Sequence, residues 1–499
     1  MARSLPLALL VVVLIVAPVA AAPEGTVTWG THITLAPQWF DPADHPGNIT
    51  VYMMLYALHD AMIRATPLDA MAPGLAESWT VSKDGLTYDF VLRKNVRFHT
   101  GDVVTAEDVK FSFERYRGAS ARILKERVAA IETPDPQRIR FALKSVWPDF
   151  ITFYGAASGA GWIVPKKYVE RVGDEGFKKA PVGAGPYKFV SFTPGVGVEL
   201  EAFEQYWRKP PAVKRLVFRA IPDESTRLAA LKRGEVDIIF AVNGELANEL
   251  QRTPGLTLKP AVPQGTMWVS LFDQWDSKSA WHDRRVRLAA NLAVDRKAID
   301  EAITLGYSRL SNSIIPTQYE FYWQPPLHPY DPAQAKKLLA EAWYPNGFDA
   351  GEYFIDGSSF IASVHEAVAN QLAQVGIRTK LRPMERAAHG KALVEKKFKN
   401  LSHTGSGAYG NAATRLEAFV VGGGAYVGNS YPDIDGLFRE QASELDRRKR
   451  EAILHKIQQL VHEKAMFIPI GQLAFITGHG PRLEESGLAL LPGHTYSAP

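Results

Sequence analysis

The chain has 499 residues, a formal net charge of +4, 46% hydrophobic and 22% charged residues, and no cysteine. That length exceeds one ordinary hydrophobic core, so several domains are expected, and the balance is that of a soluble globular protein. The small, scattered positive excess carries no nucleic-acid footprint. The missing cysteines exclude disulfides, thiolate metal sites and a lipid-modified N-terminal cysteine.

Residues 1–22 read as a signal peptide. Arg3 supplies the positive start, 5–16 is an apolar run broken only by Pro6, and Pro18, Ala20, Ala21 and Ala22 form a small-residue exit. Cleavage is expected near Ala21 or Ala22, which predicts a soluble periplasmic protein. Val27 and Trp29 alternate with Thr26, Thr28 and Gly30, predicting an opening strand. Gln38-Trp39-Phe40-Asp41-Pro42 then stops regular structure, and a helix is predicted over 51–63 with Val51, Leu55, Leu58 and Met62 on one face. Tyr88, Phe90 and Leu92 mark another strand, and Gly101-Asp102 turns the chain. Thr105 with Asp108 three residues on is a helix-start pair for 106–117, whose inner face is Val109, Phe113 and Tyr116. A strand is predicted over 136–143.

Helix–glycine–strand steps follow. They run from helix 224–232 through Gly234 to strand 236–240, and from helix 364–374 through Gly376 to strand 377–381. Asp446 caps a helix through 461, and 467–470 is extended beyond it. Such steps predict an α/β fold of mixed sheets flanked by helices. Junctions near Ala180-Pro181 and Lys259-Pro260 are candidate domain crossings.

Several blocks carry a family resemblance. They are Ala76-Glu77-Ser78-Trp79, Asp84-Gly85-Leu86-Thr87-Tyr88, Leu92-Arg93-Lys94-Asn95-Val96-Arg97-Phe98-His99, Pro181-Val182-Gly183-Ala184-Gly185-Pro186-Tyr187 and Tyr344-Pro345-Asn346-Gly347-Phe348. In this order, the chain resembles the peptide, nickel and opine class (family 5) of ABC-importer solute-binding proteins. The resemblance implies a two-lobed periplasmic binding protein fold of type II, in the large class with an extra inserted domain. It implies 23–70, 181–262 and 474–499 as domain Ia, 71–180 as an inserted domain Ib, and 263–473 as lobe II. The partners implied are a small solute held between the lobes and an ABC permease with its ATPase at the inner membrane, the binding protein itself being a monomer. No cofactor is implied.

In peptide-binding members a Gly-Trp-(any)-Ala-Asp run holds the ligand's ammonium. The matching run here is Gly405-Ser406-Gly407-Ala408-Tyr409, with Ser406 in place of the tryptophan and Tyr409 in place of the aspartate. A buried ammonium needs an anionic partner, so the substitution points to a ligand with a carboxylate or similar anion and no obligatory ammonium. The same comparison places Trp39, Arg122, Trp268, Arg386 and His403 at the cleft, with Arg386 as a fork for a carboxylate.

Competing chemistry is thin. Residues 405–410 match G-x-G-x-x-G without the later acidic residue of a dinucleotide site. Residues 431–442 lack the first and twelfth ligands of a calcium loop and read as a helix start. His455 and His462 are seven apart, and no H-E-x-x-H or G-x-S-x-G occurs among the 13 histidines and the serines. No catalytic residue or metal ligand is therefore expected. An extracytoplasmic hydrolase is the rival class, and a transport-independent sensor or chaperone on the same fold is the second alternative.

Overall fold

The computed structural model describes residues 22–44, 49–64, 71–118, 120–157, 159–262, 265–357, 359–406 and 410–483. The signal-peptide reading at 1–21 and Tyr409 lie outside them. The expected α/β architecture of two lobes with mixed, helix-flanked sheets is what the chain forms.

The first body is a seven-stranded sheet. Its strands lie in the order Thr257–Ala261, Phe475–His479, Ile238–Val242, Glu24–Thr31, Val213–Ala220, Gly197–Ala202 and Tyr187–Thr193. The opening strand is central and runs parallel to both neighbours, while the outer pairings are antiparallel. Trp29, Leu55, Leu58, Tyr187, Leu200 and Phe218 fill the core beside it. An all-antiparallel four-stranded sheet from 76–143 forms a second body, closed by an aromatic cluster of Phe90, Phe113, Phe141, Phe150 and Tyr154.

The other lobe is built on a five-stranded sheet ordered Ile377–Met384, Phe348–Asp356, Leu401–Ser406, Thr266–Leu271 and Phe467–Gly471. Alternation sends Val269 and Tyr353 to the face covered by helix Ser359–Gln374, and Trp268 to the face covered by helix Arg447–Glu463. Two strand pairs join the lobes. Thr257–Ala261 pairs with Phe475–His479 in one sheet, and directly beyond them Thr266–Leu271 pairs with Phe467–Gly471 in the other. Both crossings of the chain therefore lie side by side.

Local signals explain most elements. Asp108 accepts from Thr105 N at 2.9 Å and from its Oγ1 at 2.8 Å, starting helix Ala106–Arg115. Its other oxygen accepts from Lys166 N at the start of helix Lys166–Lys179. Asp446 caps helix Arg447–Glu463 by accepting from Arg448 N and Lys449 N. The helix expected over 51–63 stops earlier, as Ile49–Leu58. Tertiary pairing takes over there, because the Leu58 carbonyl accepts from Gly185 N and Met62 N donates to Gly161. A Cβ on Gly185 would sit 2.5 Å from Leu58 C, so only glycine lets the two backbones meet. Arg122 lies in a short helix, Ala121–Arg127.

Candidate functional site

Arg386 opens helix Arg386–Val394 just beyond strand Ile377–Met384. Its Nε lies 3.8 Å from Asp356 Oδ2 at the end of the neighbouring strand, with the guanidinium side chain 41% exposed and the carboxylate almost buried. Across the gap, His32 follows the central strand of the other lobe. Burial, helped by the Arg386 and Arg227 guanidiniums, pushes His32 down to about 3.

His32 Nδ1 is buried without a hydrogen-bond partner. Its ring packs on Phe240 at 4.9 Å, Phe240 stacks on Phe475 at 5.2 Å, and Phe475 meets Phe360 at 5.5 Å. This aromatic run passes from one lobe to the other beside the crossings. Sequence reasoning missed His32, although its place at the C-terminal end of a parallel strand, where α/β sheets bind ligands, was a usable signal.

His403 lies in strand Leu401–Ser406 and is also within reach of Arg386. Its Nδ1 is 2.8 Å from His365 Nε2, and His365 Nδ1 is hydrogen-bonded to the Tyr353 hydroxyl. His389 Nε2 bonds Ser402 Oγ at 3.0 Å. Burial pushes His403 well below its ordinary range and His365 down to about 3, so both imidazoles are neutral at physiological pH. His403 and His32 are thus neutral rings, one in each lobe.

The remaining expected residues are placed differently. Trp268 is fully buried, its Nε1 donating to Ser270 Oγ at 3.1 Å and its ring edge-on to Phe419 at 5.0 Å. Its surroundings are those of a core residue. Ser406 offers its carbonyl to Arg415 Nη2 at 3.2 Å. Arg415, another residue not singled out from sequence, is a buried cation that donates also to Thr266 Oγ1 and Tyr319 OH and lies 5.5–5.8 Å from the ring centres of Trp268, Tyr319 and Phe419. It anchors the start of the 405–410 run. Nothing in a single arginine on an otherwise apolar helix face announces that role.

Trp39 is half-buried in a helical turn, Pro37–Phe40, packed against the first core. Arg122 is 73% exposed and pairs with Glu126 at 3.3 Å, a surface pair on the four-stranded body. Two acids of 431–442 are committed to structure: Asp433 pairs with Lys464 at 3.1 Å, Asp435 accepts from Gly422 N and Ser430 Oγ, and helix Pro432–Ala442 begins there. His462 stacks on His328 at 4.7 Å beside a cavity of about 30 Å³ lined also by Asn312 and Gln458, a space suited to water rather than to an organic solute.

Two lobes joined by paired crossings, with aromatic side chains meeting beside them, are the architecture of a solute-binding protein. The chain belongs to the bacterial extracellular solute-binding proteins, family 5, whose middle-region model matches residues 70–426. It is 29% identical over 453 residues to heme-binding protein A of Haemophilus influenzae, covering 83% of this chain and 81% of that protein. It is 27% identical over 445 residues to the glutathione-binding protein GsiB of Salmonella choleraesuis, covering 85% and 84%. Among solved structures, AgaA of A. tumefacien R10 with agropinic acid superposes with a TM-score of 0.78 at 25% identity, covering 94% of this chain and 96% of that one. DppA of Helicobacter pylori with the peptide STSA gives 0.79 at 24%, covering 95% and 97%. The relatives are binding proteins, and this chain is the extracytoplasmic substrate-binding component of an ABC import system.

Proposed function

We propose that this protein captures a small organic solute carrying a carboxylate or comparable anion and delivers it, without chemical change, to an inner-membrane permease and its ATPase. The observation that carries the reading is the half-exposed Arg386 guanidinium, which opens helix Arg386–Val394 beside the nearly buried Asp356 carboxylate. A cation at a closing seam rewards an anion that both lobes can touch, and such shared contacts are what drive closure. Asp356 holds the guanidinium in place, while the neutral His403 and His32 supply hydrogen bonds without adding charge. Heme, glutathione and agropinic acid, named for the relatives, all carry carboxylates. The reading extends to a monomer exported to the periplasm by residues 1–22. In it, 23–70, 181–262 and 474–499 form one domain, 71–180 an insertion and 263–473 the second lobe, a division that the paired crossings support.

Mass spectrometry of compounds retained by the purified protein, followed by calorimetry, tests this. A carboxylate-bearing solute is expected, with Arg386→Ala weakening it by more than about tenfold, as for loss of a charge-assisted bond. A neutral or purely cationic ligand, or unchanged affinity in the variant, would defeat the proposal. Release of a product would favour the hydrolase instead.

A further inference from the structure

The four-stranded body touches the five-stranded lobe through a second contact away from Arg386, centred on a buried ion pair. Asp149 precedes the short helix Phe150–Thr152 but makes no side-chain cap to it. Both its carboxylate oxygens are spent across the gap instead. Oδ2 accepts from Arg450 Nη2 at 2.5 Å, and Oδ1 accepts from Asn411 Nδ2 at 2.6 Å. The pair is almost completely buried, at 4% and 7% side-chain exposure. Arg450 is itself fixed, donating from Nε to Gln441 Oε1 and lying over the Phe321 ring. A neighbouring pair, Arg127 to Glu417 at 2.9 Å, spans the same border, and Leu445 packs within 3.4 Å of where a Cβ on Gly85 would lie.

Asn411 makes this more than a surface contact. Its Oδ1 accepts from Thr414 N and its own N–H is met by Thr414 Oγ1, so it starts helix Ala412–Phe419. It also ends the 405–410 run, whose other end is set by strand Leu401–Ser406 and by Arg415 on the Ser406 carbonyl.

We propose that Asp149 is a positioning residue that latches the two lobes through its paired bonds to Arg450 and Asn411. Opening the cleft must break a buried ion pair and release both charges to water, while closing must align Asp149 with two donors at once. The latch is independent of which solute binds.

The absence of cysteine gives a direct test on the ligand-free full chain. Val103→Cys and Leu327→Cys, on exposed sites of the two lobes, accept spin labels for distance measurement. Asp149→Asn is expected to raise the open-to-closed ratio by about tenfold or more, because Arg450 would stay buried without its counter-ion in the closed form. Arg450→Gln should do the same, and the double variant should add little to either. Circular dichroism and the melting of the five-stranded lobe should be unchanged in Asp149→Asn, which separates a latch from a fold defect. A distance distribution identical to the parent in both single variants, or fully additive effects, would overturn the proposal.

Discussion

Trp268→Ala distinguishes a core ring from a cleft wall. The indole is fully buried, meets Phe419 at 5.0 Å and Phe467 at 6.2 Å, and lies 5.8 Å from the Arg415 guanidinium. Truncation removes that whole surface and leaves a cavity between strand Thr266–Leu271 and helix Ala412–Phe419. The polar cost is small, since Ser270 Oγ keeps Thr404 Oγ1 at 2.8 Å. Burial and cavity terms for a tryptophan of this kind together cost about 3–5 kcal/mol, and Trp268→Phe should recover much of it. Urea unfolding followed by far-UV circular dichroism measures the loss, and calorimetry with the retained ligand measures affinity on the surviving folded fraction. A large loss of stability is expected for the alanine variant, with the phenylalanine variant still binding. If alanine costs less than about 1 kcal/mol while abolishing binding, Trp268 touches solute and the core assignment is wrong.

Glu417 should make closure pH-dependent: burial raises its carboxyl to about 7 despite the neighbouring Arg127, with Asp149 raising it further and Arg122 opposing. The closed form therefore binds a proton at Glu417 more readily than the open or unfolded chain, so this group's contribution to stability is fully present below about 4.5 and is lost as pH rises through about 7. Thermal melts between pH 5 and 8 should show this slope flattened in Glu417→Gln, and an unchanged slope would count against it. Gly185→Ala should prevent normal packing of helix Ile49–Leu58, because the added Cβ meets backbone at 2.5 Å; a soluble variant with an unaltered melting temperature would contradict this. Asp446→Ala removes two capping bonds and should cost about 1 kcal/mol by chemical denaturation, with Asp446→Asn costing less.

Elements with their own punctuation were legible from the sequence. Helix Glu224–Lys232 lies where its glycine stop at 234 placed it, and the Thr105–Asp108 and Asp446 starts work as their side chains indicate. Boundaries failed where a distant strand decided them, as at Leu58, whose carbonyl is claimed by Gly185. The same limit governs the site. Arg386 and His403 could be proposed by position, but the unpartnered His32, the caged Arg415 and the Asp149 latch each depend on partners far along the chain. Asp149 meets Arg450 across 301 positions, and no local spacing encodes such a meeting.

The larger sheet has its first strand at its centre and the late strand Phe475–His479 wedged between Ile238–Val242 and Thr257–Ala261. Until Phe475–His479 is in place, Ile238–Val242 and Thr257–Ala261 are therefore two incomplete sheet edges. A chain cut short before 475 would expose those open edges to proteases and to its neighbours.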